Sequence, residues 1–320
     1  MTISCAIIVC DHGLGHLRRC AIEAKNRQEK GENVTLFAPL KSMERITRIF
    51  PSLNGLKILD FSTNTKLENY RHGLTAAIDW IKNIPNLDEF DLVICDNLPE
   101  ILSLRPDAIL YAQFFWHDIF QDLAKDYFYF CENLLAKYCP TIIGCDLFAM
   151  NQVKSQPRFT PVGLYFVPEL LEAVKKKSLE SRTDLLITGG STKSAHLKIK
   201  KIINQILISG PKSFNYIHVD SELLPDYPPT WMIGADFSIE MYCRLKAAIC
   251  RPGLGVLTDL LTVGVKPYLI YEPGNLEMEH NASVLEKHGL GKVIIDIHCL
   301  DKQKEFIPIR ILLMISFILR

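Results

Sequence analysis

The 320-residue sequence has no net charge, because 36 Lys and Arg residues balance 36 Asp and Glu residues. A balanced chain exerts no general attraction on nucleic acid or on acidic membranes, so a nucleic-acid partner is not expected. The sequence also has no C-x-x-C pair, and its ten cysteines are scattered along the chain. This spacing predicts buried free thiols in a reducing compartment rather than a disulfide framework or a zinc site.

Long uninterrupted apolar runs are missing as well. The first ten residues carry no basic segment and predict a buried strand, not a signal peptide. Residues 306–320 are mostly apolar, but Pro308 and Arg310 interrupt them and they are too short to span a bilayer. We therefore expect a cytoplasmic protein whose tail packs against a domain. A peripheral membrane contact through that tail is the alternative.

Apolar runs of strand length alternate with amphipathic helical stretches in both halves of the sequence. Strands separated by helices predict βαβ units and parallel sheets. We expect an α/β fold with two doubly wound, Rossmann-like domains that face a central cleft. The predicted strands are 4–10, 33–38, 56–60, 91–95, 107–112, 141–144, 184–188, 214–218, 246–250 and 266–271. The predicted helices are 16–30, 73–83, 117–137, 195–208, 255–263 and 276–288.

Proline and glycine residues within 161–168 mark the expected boundary between the domains. The βα pattern starts again at Asp184. The predicted division is a first domain over 1–163, a linker over 164–182, a second domain over 183–300 and an apolar tail over 301–320.

A glycine turn follows the first predicted strand and contains Gly13 and Gly15. Such a turn lets backbone N–H groups approach a ligand closely. A dinucleotide-binding motif would have a third glycine where Arg18 stands, which argues against a nicotinamide cofactor. His16 lies at the start of the next helix and can take a proton from a hydroxyl or a water. A histidine that only caps or packs is the alternative. Gly13, Gly15 and Arg18 are expected on the acceptor side of the site.

Two further strand ends in the first half carry polar and aromatic residues. Asp96 closes one strand, and Trp116 and His117 follow the next. In a parallel sheet these strand ends meet at one edge, where we expect the acceptor substrate. Trp116 offers an apolar surface and His117 a polar contact. The alternative interpretation is that Trp116 belongs to the core.

In the second half, Gly189, Gly190 and Ser191 form a glycine turn between a strand and a helix. The amides of Gly190 and Ser191 could hold a phosphate at the positive end of the helix dipole. A plain β-to-α turn would have the same sequence features.

The strand, turn and helix pattern recurs at Arg251 and Gly253, with Asp259 one turn into the helix. Arg251 can neutralise a diphosphate, and Asp259 can accept hydrogen bonds from ribose hydroxyls. Glu277 and Asn281 follow at the start of another helix, where they are suited to sugar hydroxyls. Ordinary acidic charge at a helix N-terminus is the alternative for that cluster.

These motifs, in this order, resemble those of the GT-B nucleotide-sugar glycosyltransferases over residues 1–296. The similar branch includes the GlcNAc transferase of peptidoglycan lipid synthesis and the UDP-sugar hydrolase of pseudaminic acid synthesis. The matching segments are 13–18 (GLGHLR), 188–191 (TGGS), 251–253 (RPG) with Thr258 and Asp259, and 277–282 (EMEHNA). Met278 stands where the last motif commonly has Gln.

The resemblance implies a UDP-sugar donor held by the second domain, with no metal and no cofactor. It implies that Arg251, Gly253, Thr258 and Asp259 form the site for diphosphate and ribose, and that Glu277 lies near ribose or sugar. It also implies that His16 is the catalytic base, and it suggests a role in cell-surface polysaccharide biosynthesis.

The first hypothesis is a glycosyltransferase that moves a sugar from UDP to an unidentified acceptor hydroxyl on a glycan, a lipid-linked molecule or a small molecule. The second is a hydrolase with the same donor site and water as the nucleophile. A non-catalytic nucleotide-sugar-binding protein is the third. Trp116 and the apolar tail favour the transferase, because both suit an acceptor.

Overall fold

The structure is a computed structural model that describes residues 2–64, 67–176, 181–190, 195–211 and 213–294. The chain divides into two compact units, Met1–Tyr165 and Phe166–Arg320. The predicted first domain ended at residue 163, close to this division. Ser191 and the tail 301–320 lie outside the described residues.

The first unit is built on a seven-stranded sheet in the order β3-β2-β1-β4-β5-β6-β7. Every neighbouring pair in it is parallel. The side chains of residues 5–8 have no exposed surface, as expected for a central strand covered on both faces. The strands are β1 (Ser4–Ile8), β2 (Asn33–Ala38), β3 (Lys57–Asp60), β4 (Leu92–Asp96), β5 (Ile109–Tyr111), β6 (Ile142–Cys145) and β7 (Phe159–Val162).

Helices connect these strands. The α-helices of the first unit are α1 (Leu14–Glu29), α2 (Leu40–Ile49), α3 (Leu67–Arg71), α4 (Leu74–Ala77), α5 (Trp116–Ile119), α6 (Lys125–Tyr138) and α7 (Asn151–Lys154). Short 3-10 helices add Pro51–Leu53, Asp79–Asn83 and Pro99–Ser103. A single apolar cluster joins one face of the sheet to the aromatic residues of α5 and α6.

The second unit repeats the arrangement with a six-stranded sheet in the order β10-β9-β8-β11-β12-β13. Its neighbouring strands are also parallel. The strands are β8 (Asp184–Thr188), β9 (Ile217–Val219), β10 (Met232–Gly234), β11 (Leu245–Cys250), β12 (Pro267–Leu269) and β13 (Lys292–Val293). The helices are α8 (Pro168–Lys175), α9 (His196–Ser209), α10 (Ile239–Arg244), α11 (Leu254–Thr262) and α12 (Leu276–Lys287), with a 3-10 helix at Ser221–Leu223.

Part of the expected linker over 164–182 is helical. Its central part forms helix α8, which packs against α10 and α11 of the second unit. The reason is its amphipathic pattern: Pro168 occupies the first turn, where a missing N–H costs nothing, and Leu170 and Val174 are buried. Helix α8 is therefore part of the second unit's core, and residues 177–180 lie outside the described residues.

The prediction of one continuous helix over 117–137 was also wrong. The helix stops after Ile119 and starts again at Lys125, and Ala124 lies in a non-helical conformation between the two parts. Strands β7, β10 and β13 and helix α10 were missed, because each is short. Helix α2 was also missed, although Met43 and Ile46 lie three positions apart on its buried face.

Two predictions from composition can be compared with the described residues. Their nine cysteines are all free, and eight of these are buried, which confirms the prediction of buried thiols. No helix among these residues is both long enough and apolar enough to cross a membrane.

Candidate functional site

Each sheet has a point where the chain reverses the direction in which it adds strands. In the first unit this point lies between β1 and β4, which are neighbours although β2 and β3 come between them in the chain. In doubly wound sheets, ligands bind beyond the carboxyl ends of the strands at such a point. A ligand of the first unit is therefore expected to bind at the loops that follow β1 and β4.

His16 reaches this edge because of the turn that precedes α1. Gly13 has φ 103°, a conformation that other residues adopt only with strain, and it caps the helix N-terminus. The Gly13 N–H donates to the carbonyl oxygen of Asp11 at 2.9 Å, which closes the turn. His16 then lies in the first turn of α1, beside the carboxyl end of β4.

His16 forms a dyad with Asp96, the last residue of β4. The distance from His16 Nδ1 to Asp96 Oδ2 is 2.7 Å, and Arg19 Nε donates to the other oxygen, Oδ1, at 2.6 Å. A carboxylate oxygen can only accept, so Nδ1 carries the proton and Nε2 is left with a lone pair. The dyad therefore presents an imidazole whose Nε2 can act as a base.

Burial and charge set the protonation of this dyad. His16 is 9% exposed and Asp96 is completely buried. Burial lowers the pKa of His16 from its usual value, and the charge of Asp96 only partly opposes this, so the imidazole is neutral at pH 7. Burial alone would raise the pKa of Asp96, but Arg19 and His16 outweigh it and hold that pKa below its usual range. Asp96 therefore stays ionised and stabilises a proton gained by His16.

Arg19 and Asn97 belong to this site, and the sequence analysis missed both. Arg19 Nη2 donates to Asn97 Oδ1 at 3.1 Å, and the Asn97 backbone has φ 59°. The i, i+3 spacing of His16 and Arg19 on a predicted helix could have indicated a shared face. The sequence contained no comparable signal for Asn97, because its contact depends on β4 lying beside β1.

The structure places Arg18, expected on the acceptor side, away from the face of α1 that carries His16. Its guanidinium carbon lies 5.5 Å from the centre of the Phe50 ring, a cation–π geometry on another face of α1. Successive helix residues are 100° apart, so His16 and Arg18 cannot share a face. Of the expected acceptor-side residues, the structure brings Asp96, Gly13 and Gly15 to the turn and strand end around His16.

Trp116 is a core residue rather than an open surface, being only 4% exposed. Its ring is stacked on Phe120 with centroids 5.3 Å apart, and its Nε1 donates to Cys10 Sγ at 3.2 Å. It still packs against the site, since its ring centroid lies 4.5 Å from that of His12 and 6.1 Å from that of His16. The expected apolar platform for an acceptor is therefore not formed by Trp116.

His117 lies apart from the dyad. It is completely buried, its ring is stacked on Phe115, and its Nε2 lies 3.0 Å from Glu132 Oε1 on α6. This side chain joins α5 to α6. Its expected polar contact with an acceptor is replaced by a contact between helices, since successive residues of a helix face different directions.

The described residues contain two groups that bring three potential metal ligands within 4.8 Å of one another. One consists of His117, Asp118 and Glu132, and the other of Cys10, His16 and Asp96. In the second group, Arg19 engages the carboxylate, and its fixed positive charge opposes a cation at that point. The dyad is therefore better suited to proton transfer than to metal binding.

The second unit reverses strand order between β8 and β11. At the end of β8, the Gly189 N–H donates to Asp220 Oδ2 at 2.7 Å and the Gly190 N–H donates to Thr188 Oγ1 at 3.1 Å. Of the two amides expected to meet a phosphate, that of Gly190 is therefore engaged within the turn, and Ser191 lies outside the described residues. Asp220, at the end of β9, was not predicted. Its burial raises its pKa, and the hydrogen bonds from the turn oppose that rise.

Arg251 lies at the end of β11, next to this turn. Its Nε is 3.6 Å from Glu272 Oε2, and the two side chains are 12% and 22% exposed. A single carboxylate at this distance balances the guanidinium only in part, so an incoming diphosphate can compete for it. Glu272 was not predicted, although it closely follows β12, the strand beside β11.

The turn after Arg251 is held by α12. Asn281 is buried, and its Nδ2 donates to the Pro252 carbonyl oxygen at 3.0 Å. Gly253 caps the N-terminus of α11, and a Cβ atom on it would meet no heavy atom within 4 Å. Asn281 thus supports the turn through its backbone, and the space beside Gly253 remains open.

The remaining expected donor residues lie on α11 and α12. Thr258 Oγ1 donates within its own helix, to the Leu254 carbonyl oxygen at 2.8 Å, and Asp259 is only 2% exposed. Glu277 is in the first turn of α12. Met278 is 1% exposed, which explains an apolar residue at the position where the family motif has Gln.

Comparisons with known proteins show what this architecture resembles. The glycosyltransferase of kitacinnamycin matches with a TM-score of 0.63 and 11% identity, over 92% of this chain and 86% of that one. The spinosyn rhamnosyltransferase SpnG, complexed with thymidine diphosphate, matches with a TM-score of 0.60 and 13% identity, over 96% of this chain and 90% of that one. LpCGTa, in complex with UDP, matches with a TM-score of 0.58 and 12% identity, over 92% of this chain and 84% of that one.

The chain has the fold of the GT-B glycosyltransferases. At such low identities the likeness establishes the fold, and it confirms the fold class expected from the sequence. No protein-family model matches the sequence, and no curated protein sequence matches it.

Proposed function

We propose that the protein is a glycosyltransferase that moves a sugar from a UDP-sugar to the hydroxyl of an acceptor. The observation that carries this proposal is the dyad of His16 and Asp96, with 2.7 Å between Nδ1 and Oδ2. It lies at the strand reversal of a doubly wound sheet, in a chain with the fold of known glycosyltransferases.

In the proposed reaction, His16 Nε2 takes the proton of the acceptor hydroxyl. The acceptor oxygen bonds to the anomeric carbon of the sugar, and the bond from that carbon to the diphosphate oxygen breaks with its electron pair. Asp96 stabilises the imidazolium that forms, because its carboxylate remains ionised beside Nδ1. A single displacement of this kind inverts the configuration at the anomeric carbon.

The donor belongs on the second unit in this proposal. Arg251 stabilises the negative charge of the departing diphosphate, and the open space beside Gly253 lets a phosphate approach the backbone. Asp259 and Glu277 are proposed for the ribose and the sugar, as the family motifs imply. The choice of UDP as the donor nucleotide is supported by the structure of LpCGTa in complex with UDP. Thymidine diphosphate is the alternative nucleotide, because SpnG is complexed with it.

Metal independence, action in the cytoplasm and a role in cell-surface polysaccharide synthesis complete the proposal. The support for metal independence is the fixed charge of Arg251, which can replace a divalent cation at a diphosphate. EDTA is therefore expected to leave turnover unchanged, and loss of activity in EDTA that is restored by Mg²⁺ would contradict this part.

The first test is calorimetric titration of the whole chain with UDP, thymidine diphosphate and GDP. A panel of UDP-sugars then follows, with UDP release measured with and without mixed acceptors. We expect UDP to bind most tightly and its release to require an acceptor. Rapid release in water alone would identify a hydrolase, and binding without any turnover would identify a non-catalytic binder.

His16→Ala separates these outcomes further. This change removes the base and is expected to slow acceptor-dependent release by about 10²- to 10⁴-fold, while UDP affinity stays the same. The matched control is His288→Gln, which changes an exposed histidine of the second unit. Equal turnover in wild type and His16→Ala would overturn the catalytic assignment.

A further inference from the structure

A second feature of the first unit is a polar pocket of about 380 Å³ between the loop after β3 and the short helices that follow. Small-molecule sites occupy roughly 300–1,000 Å³, so the pocket is large enough for a small ligand. Its walls include Ser62, Thr63, Asn64, Asn69, Thr75 and Asn83.

Most of the pocket walls carry the same kinds of polar group. Hydroxyl and carboxamide groups dominate, and both donate and accept hydrogen bonds. The described residues that line the pocket include no lysine or arginine; their one carboxylate, Asp79, pairs with Lys82 at 2.9 Å, and His72 adds an imidazole. Such walls match an uncharged molecule rich in hydroxyls, since each of these groups can form hydrogen bonds with a hydroxyl.

The pocket is joined to the loop that leads into the dyad. Ser62 Oγ donates to Asp11, the Asn64 N–H donates to Asp11 Oδ2 at 3.0 Å, and Thr63 Oγ1 donates to Asp11 Oδ1 at 3.0 Å. Asp11 is next to His12, whose ring contacts Trp116, and Trp116 in turn stacks against His16. A continuous set of contacts therefore connects the pocket wall to the base.

The floor of the pocket is fixed by a buried hydrogen-bond network. Trp80 lines the pocket, and its Nε1 donates to Glu100 Oε1 at 3.0 Å. Tyr127 OH donates to the other oxygen of Glu100 at 3.0 Å. Burial raises the pKa of Glu100, and the hydrogen bonds from Trp80 and Tyr127 oppose that rise. The network holds Trp80 in place beneath the polar rim.

We infer that this pocket is the acceptor subsite and that the acceptor is an uncharged, hydroxyl-rich molecule such as a saccharide or polyol. The inference rests on the proposed function, and it narrows the acceptor to one chemical class. It also replaces the expectation of an apolar acceptor surface, because the tryptophan that suggested one is buried.

The test measures saccharide binding apart from turnover. The whole chain is titrated by ligand-observed NMR with maltose, lactose, mannobiose and chitobiose. The aromatic alcohol 4-methylumbelliferone and a polyprenyl phosphate serve as contrasting probes. The two variants are Thr75→Val and Asn83→Leu, which remove polar groups from exposed positions while keeping the shape of the side chain. Asn204→Leu, on the exposed face of α9, is the matched control.

We expect at least one disaccharide to bind the wild-type chain, with affinity reduced at least 10-fold in both pocket variants and unchanged in the control. UDP affinity is expected to be the same in all four proteins. Three results would overturn the inference. They are equal saccharide binding in the wild type and the pocket variants, no saccharide binding at all, and a preference for the aromatic or polyprenyl probe. Saccharide binding that depends on the pocket without any UDP-sugar turnover would refute the proposed function and leave the pocket assignment intact.

Discussion

Asp96 has two partners, and this is the central feature at the scale of single residues. One oxygen receives the His16 Nδ1 proton and the other receives Arg19. The arginine keeps the carboxylate ionised and fixes its plane, so the carboxylate in turn fixes the tautomer of the histidine. Arg19 therefore acts as a positioning residue.

Replacing Asp96 with Asn tests this arrangement through pH. The pKa of His16 lies below 6.5, so kcat/KM should rise with pH through a midpoint below 6.5 and then level off. Asp96 opposes the lowering, so Asp96→Asn should move the midpoint to still lower pH. The plateau should also fall, by about 10²- to 10⁴-fold, because the imidazolium loses its counter-charge.

The pH profile of acceptor-dependent UDP release measures both effects. An unchanged plateau, or a midpoint that moves to higher pH, would be inconsistent with the dyad. Glu240→Gln is a suitable control, since it removes a carboxylate from an exposed position of α10.

Arg251 and Glu272 form a second residue-scale test, on the donor side. Arg251→Ala should weaken UDP binding by about 1–3 kcal/mol, the worth of a charge-assisted contact. Glu272→Gln should strengthen it, because a carboxylate 3.6 Å from the guanidinium competes with the diphosphate. Calorimetry with UDP measures both changes, and unaltered affinity in Arg251→Ala would refute the donor assignment.

Single-residue chemistry was partly visible in the sequence. His16 and Asp96 were singled out from the strand–turn–helix pattern, and the structure places them 2.7 Å apart. Arg19 was missed, since a motif records which residues occur but not which face of the helix each one takes. Asp220 and Glu272 were missed, because their contacts are with residues more than twenty positions away in the chain.

At the scale of elements, helices α1 and α11 are both capped by glycine, but the backbone conformation of the capping glycine differs between them. Gly13 requires a positive φ. Gly253 has φ −71° and ψ 133°, which any residue can adopt, and its missing Cβ leaves open space. Nothing in the described residues around position 253 requires glycine, and the proposed approach of a phosphate to this turn would use the space that glycine leaves.

Gly253→Ala should therefore keep the melting temperature at or slightly above the wild-type value while weakening UDP binding. Gly144→Ala, in β6, should behave in the opposite way. Its Cβ would overlap the Ala112 carbonyl oxygen and press on the Phe159 ring, which should cost about 1–3 kcal/mol of stability. Thermal unfolding and UDP calorimetry of both variants check this pair, and unchanged UDP affinity in Gly253→Ala would contradict a phosphate beside the turn.

At the scale of the whole molecule, the chain uses one architecture twice. Each unit has a parallel doubly wound sheet, and each places its candidate residues where the strand order reverses. The two units differ in chemistry, however. The first offers an imidazole–carboxylate dyad and a polar pocket, while the second offers a guanidinium, a glycine turn and helix N-termini. A base for the acceptor and a charge for the diphosphate are the two requirements of sugar transfer.

The sequence by itself determined the alternation of strands and helices, the parallel sheets and the position of each glycine turn, because these depend on local periodicity and backbone freedom. Only the tertiary structure decided the strand order, and with it which strand ends became neighbours. It decided that Arg19 meets Asp96, that Trp116 is buried, and that Asp220 accepts a hydrogen bond from the Gly189 amide. These contacts join residues distant in the chain, and distances between such residues are set by packing rather than by local sequence.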